Sequence, residues 1–132
     1  MSGAISWLGW RVGGGALLAA VLAAGVVAVP VSPAAAAVDC SVSHSANGEG
    51  SGYTEVSKPL KVGPYGDCAK TGANTGTYGK VWLHCYVYNS YSNLWWWVRI
   101  DGTNSEGWIY ADYLTGVDFD DNNDGHENIK YC

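Results

Sequence analysis

Positive charge is scarce in this chain. Seven Lys and Arg stand against twelve Asp and Glu among 132 residues, and no basic run is long enough to follow a phosphate backbone. That excludes nucleic acid and anionic wall polymers as partners, because binding either depends on cations that neutralise phosphates. A cationic or zwitterionic partner is the better electrostatic match. Catalytic signatures are missing too: there is no G-x-S-x-G, no H-E-x-x-H and no phosphate-binding glycine loop. His84 and Cys85 are neighbours on an extended segment, so they point to opposite faces and cannot act as base and nucleophile. His44 and His126 lie in polar stretches with no partner motif. Without C-x-x-C spacing the cysteines do not read as a zinc site. The expectation is a protein without covalent chemistry, cofactor or metal.

The first 37 residues read as an export leader. Arg11 precedes an apolar stretch from about Leu17 to Val29, followed by Pro30, Pro33 and small residues, with Ala35 and Ala37 in the A-x-A pattern that signal peptidase accepts. The apolar run falls short of the roughly 20 residues that a membrane span needs, so no membrane contact is expected after cleavage. Asp39 stands before Cys40, where a lipoprotein site wants a small residue. Removing Arg11 leaves six cations against twelve acids. About 95 residues remain, enough for one small domain, which at that size buries only about 60–65% of the unfolded surface. All four cysteines, Cys40, Cys68, Cys85 and Cys132, fall in this part. An exported chain with an even cysteine count reads as disulfide-bonded, with three connectivities open. The protein is expected to be secreted, extracellular and monomeric.

Residues 38–58, rich in Ser and Gly, carry no sustained periodicity and read as a flexible arm. "KVWLHCYVYN" (80–89) alternates, with Val81, Leu83, Cys85 and Val87 on one face and Trp82, His84, Tyr86 and Tyr88 on the other, which is the pattern of a strand. "SYSN" supplies a turn, "LWWWVRI" the next strand, "DGTN" another turn and "GWIYA" a shorter strand. Short strands with tight turns and no helical pattern after the leader predict an all-β barrel or sandwich. Residues 116–132 read as a polar, acidic tail. In an extended segment Trp96 shares a face with Val98 and Ile100, which belong in the core; Trp95 and Trp97 then face solvent.

Three motifs carry a resemblance. "LKVGP" (60–64), "WWWV" (95–98) and "GWIYADYL" (107–114) resemble the bacterial SH3 family, in particular its small secreted members from high-GC Gram-positive bacteria. The first departs from the family pattern, with Lys61 where an arginine is usual. The resemblance covers residues 59–115. It implies a small SH3-like barrel, flanked by the arm and the acidic tail, and recognition of cell-wall peptidoglycan peptides or glycans. The pairing adopted is Cys68 with Cys85 and Cys40 with Cys132, the first of which is similar to the bridge between the long first loop and the second strand in that secreted subgroup.

The same resemblance implies that Trp95 and Tyr113 border a ligand groove; Tyr65, beside "GP" in the long loop, is a candidate to close its third side, and Trp97 is a further candidate contact. Aromatic faces suit apolar peptide and sugar surfaces; the bland alternative is that these rings merely cover a barrel too small to bury them. Asp101, Glu106 and Asp112 are candidates to meet a free amino group, although exposed carboxylates are usually only solvated. Asp120, Asn122, Asp124 and Gly125 match the first half of a calcium loop, but Tyr131 stands where a bidentate Glu is required, and an acidic tail is the default. The expected function is non-catalytic binding of the cell wall; the alternatives are an extended or proline-rich segment of another secreted protein, or a structural or inhibitory module without a small ligand.

Overall fold

The computed structural model describes Pro30, residues 35–46 and residues 48–132. The leader expected over residues 1–37 lies outside them, apart from Pro30 and residues 35–37. Seven strands form one antiparallel sheet: β1 (Ser51–Thr54), β2 (Pro59–Lys61), β3 (Lys70–Asn74), β4 (Gly79–Tyr88), β5 (Leu94–Ile100), β6 (Glu106–Tyr110) and β7 (Leu114–Asp118), with one 3-10 turn, Ala111–Tyr113, before β7. Their spatial order is β3-β2-β6-β5-β4-β1-β7. Among the described strands β3 and β7 are edges that do not pair with each other, so the hydrogen-bonded sheet is open. No helix among the described residues is long and apolar enough to cross a membrane. The all-β expectation is met, but the sheet begins earlier and ends later than residues 59–115. The segment read as an arm contains β1, whose Thr54 is fully buried and shares a 2.7 Å hydrogen bond with the Thr75 hydroxyl.

The meander β4-β5-β6 is built by side chains that replace missing backbone partners in its turns. After β4, Asn89 Oδ1 accepts the backbone N–H groups of Tyr91 and Asn93, and Asn89 Nδ2 donates to the Pro64 carbonyl. Ser92 then takes the left-handed conformation, at φ 61°, that a tight turn demands. After β5, the Thr103 hydroxyl donates to Ile100 O and accepts from Ser105 N–H. The turn residues predicted at both places are therefore doing what their chemistry allows.

A bulge decides which faces are covered. Leu83 of β4 lies opposite Val98 of β5, yet the next pair is Cys85 opposite Trp97, so His84 is an extra residue on β4. One inserted residue reverses the side-chain parity of everything beyond it. Val81 and Leu83 consequently pack with Leu60, Trp96, Val98, Ile100 and Ile109 in one core. Cys85 and Val87 pack with Trp95, Trp97 and Trp108 in a second. The expectation that Val81, Leu83, Cys85 and Val87 share one face fails here, because local alternation cannot register a bulge. Trp96 does join Val98 and Ile100, as expected.

The second core corrects the placement of the other two indoles. Trp95 and Trp97 do lie on the opposite face from Trp96, but that face is closed: they are 6% and 8% exposed. The chain before β1 crosses it. Val42 packs there, His44 lies flat on Trp97, and Ser45 N–H points to Cys85 Sγ at 3.2 Å. Gly48 allows that crossing, since a Cβ there would sit 1.7 Å from the His84 carbonyl oxygen. Beside the first core's strands, Trp82 points to the opposite face from Val81 and Leu83, its indole N–H donating to Asp101 Oδ1 at 2.7 Å under the Lys80 ammonium.

The disulfides also differ from the adopted pairing. Cys40 bonds Cys68, and Cys85 bonds Cys132. The bulge turns Cys85 towards the second core, where the C-terminal segment runs alongside β4: Tyr86 N–H donates to Lys130 O, and Cys132 N–H to Tyr86 O. That brings the Cα atoms of Cys85 and Cys132 to 5.2 Å. Cys40 instead lies against Gly63, where a Cβ would come within 2.4 Å of its Cα, and so meets the loop that carries Cys68. The two bridges therefore pin the two coverings of the second core, one at each end of the chain. Both are compatible with an extracellular, oxidising setting.

Candidate ligand groove

Antiparallel register places Trp95 of β5 directly opposite Tyr110 of β6, with ring centroids 5.5 Å apart. The 3-10 turn that follows swings the chain round so that Tyr113 meets Tyr110 edge-on, again at 5.5 Å. Lys58 and Pro59, at the start of β2, form the facing wall; Lys61 and Gly66 close one end. Together they enclose a cavity of about 350 Å³, within the usual range for a small-ligand site. Trp95 forms its floor and Tyr113, 44% exposed, its open lip.

The polar groups of the groove are already oriented. Lys61 Nζ donates to the carbonyls of Gly66 and Cys68 at 2.7 and 3.0 Å, so the β2–β3 loop is tied back to β2. Lys58 Nζ rests 4.1 Å from the centre of the Tyr113 ring, a cation–π contact. The Tyr110 phenol has its pKa pushed up, first by a hydrogen bond to the Asp112 carboxylate, then by burial, and then by the charges of Asp112 and Tyr113. It stays neutral throughout the physiological range. The Trp95 indole N–H is sealed and unpartnered, as are those of Trp97 and Trp108. Trp95 therefore contributes ring surface to the groove, not a donor.

Of the four aromatic residues singled out in the sequence, Trp95 and Tyr113 are brought together and the other two lie elsewhere. Tyr65 is 6% exposed, with its hydroxyl bonded to Ser90 Oγ at 3.1 Å, and it braces the turn after β4. Trp97 is packed between His44 and Trp108. The three acids considered for an amino group each have a local partner: Asp101 holds Trp82, Glu106 approaches His84 at 3.7 Å, and Asp112 holds Tyr110. Tyr110, Lys58 and Pro59 were missed. Pairing "LWWWV" against "GWIY" would have set Tyr110 beside Trp95; nothing in the sequence signals the lysine.

A second cavity, about 360 Å³, is lined by residues that include Glu49, Trp82, His84 and Arg99. Burial lowers the His84 pKa below its ordinary 6.5; Glu106 opposes this, and Arg99 and His44 add to it. Neither ring nitrogen has a hydrogen-bond partner. Glu49 is shifted upward, mainly by burial and next by the charges of Asp124 and Asp121. Carboxylate oxygens of Glu49, Asp120 and Asp124 lie within 4.8 Å of one another. The calcium-like spacing around them serves the backbone: Asp120 accepts the N–H groups of Asp124 and Gly125, Asn122 Oδ1 also accepts from Asp124, and Asp124 accepts from His126. These are side-chain-to-backbone turns of the kind Asp and Asn favour.

Comparison with protein-family models, with curated proteins and with solved structures finds no match for this chain.

Proposed function

We propose that this protein is a secreted, non-catalytic binding module with an SH3-like barrel, and that it takes a peptide of the cell wall into the groove lined by Trp95, Tyr110, Tyr113 and Lys58. The observation that carries the reading is the groove itself: three aromatic rings in contact, two of them tyrosines at the surface, facing an open cavity of about 350 Å³. The SH3-like reading is supported by where its motifs fall. "LKVGP", "WWWV" and "GWIYADYL" begin on β2, β5 and β6, which lie side by side in the sheet. Two disulfides support an exported protein.

Binding here is burial of apolar peptide surface against aromatic rings, with orientation set by the few polar groups at the rim. The protein recovered from the medium of an expressing strain should be retained on purified sacculi. A Tyr113→Ala variant with an unchanged circular dichroism spectrum should be retained several-fold less. Equal retention of the two proteins at low and moderate salt rejects the reading. Soluble muropeptides should displace the bound protein; failure to do so would point to an extended segment of another secreted protein as the occupant.

A further inference from the structure

We propose that the groove recognises the free C-terminal carboxylate of its peptide, held by the ammonium groups of Lys58 and Lys61. This rests on the binding reading above and names the chemistry of the ligand. The chain has a formal net charge of −5, with twelve carboxylates against seven cations. The groove reverses that balance. Two of the seven cations line it and no carboxylate does.

Neither lysine is neutralised from within. Among the described residues no carboxylate lies within salt-bridge distance of either ammonium. Lys61 Nζ spends two of its three N–H groups on the carbonyls of Gly66 and Cys68, leaving one. Lys58 Nζ is steadied by the Tyr113 ring face, which orients the charge without cancelling it. Two fixed, unpaired ammonium groups beside an aromatic floor make a site for a carboxylate attached to an apolar body. Charge-assisted hydrogen bonds form to the anion while the preceding side chain covers Trp95 and Tyr110.

The surroundings select a single charge. Across the ridge formed by Lys58 and Tyr113, the adjoining cavity of about 290 Å³ is bordered by Glu55 and Asp112. A polyanion would have to run past those acids, and two lysines cannot neutralise a row of phosphates. A peptide end carries its one negative charge into the groove and leaves a neutral or cationic remainder outside. That arrangement also agrees with the zwitterionic partner expected from composition.

The test uses two probes that differ in one group: a synthetic wall stem peptide with a free C-terminus, and the same peptide amidated there. Both are titrated against the full secreted protein at low salt, with tryptophan fluorescence or calorimetry as the readout. The free acid should bind about tenfold more tightly than the amide. Lys58→Gln should bring the two affinities together with an unchanged circular dichroism spectrum. The preference should shrink in high salt, because the lysines are only partly buried. Equal affinity of acid and amide for the wild-type protein overturns the inference, and Tyr113-dependent retention on sacculi would show that the groove reading survives it. Binding of neither probe together with loss of that retention overturns both.

Discussion

His44 lies flat on Trp97, with ring centroids 3.6 Å apart and planes 13° from parallel. The contact joins a residue from the Ser- and Gly-rich segment before the sheet to the last of a run of three tryptophans. It helps to bury Trp97, which is 8% exposed. His44→Ala should cost about 1 kcal/mol, the ordinary worth of an aromatic pair beyond its area, and should raise quenching of tryptophan fluorescence by acrylamide. An unchanged quenching constant would mean that the indole is covered by something other than this ring.

Disulfide mapping should recover Cys40 with Cys68 and Cys85 with Cys132. The bridges close loops with sequence separations of 28 and 47 residues. In the chain-entropy model these are worth about 3.5 and about 4 kcal/mol. Replacing Cys85 and Cys132 together by Ser should therefore lower stability slightly more than replacing Cys40 and Cys68, as measured by urea denaturation. Peptides linked Cys68 to Cys85 in a non-reducing digest would contradict the fold around the bulge.

Burial keeps His84 neutral, and this has a consequence for pH. A histidine whose pKa is depressed in the folded state adds stability that is complete above its unfolded value of 6.5 and is lost as pH falls through the folded value. The urea midpoint should drop on going from pH 7.5 to pH 5, and the drop should be smaller in His84→Gln. A variant that follows the wild-type profile would show that His84 has a solvated ring.

Glu49 acts in the opposite sense. Its pKa is raised by burial and by the nearby carboxylates of Asp124, Asp121 and Asp120, against a smaller favourable contribution from the Asn122 amide. The fold therefore favours the protonated acid, and the charged form becomes unfavourable as pH rises through the folded pKa. Glu49→Gln should raise the melting temperature at pH 7, and the gain should fade towards pH 4. A loss of stability at pH 7 would show that the charge is needed in that loop.

Much of the architecture was legible in local patterns. Alternation in residues 80–89 marked one strand and "LWWWVRI" the next, "SYSN" and "DGTN" marked the turns, and Trp96 was correctly assigned to the core with Val98 and Ile100. Trp95 and Tyr113, brought forward by motif spacing, both line the cavity beside Lys58. Strand β1 was not legible, since "SGYT" is too short and too rich in glycine and polar residues to alternate convincingly; its place is set by pairing with β4 and β7.

By itself the sequence determined that consecutive indoles would divide between two faces, because side chains alternate along any extended backbone. It also determined that four cysteines would be available for two bridges. Only the tertiary structure decided whether either face stayed open, where Cys85 pointed and which lysines faced the groove. Those outcomes depend on one extra residue at His84, on a covering strand of chain that arrives from some fifty residues away in sequence, and on packing against both. Contacts between distant segments leave no periodicity in the sequence, and a bulge shifts parity without altering the composition around it.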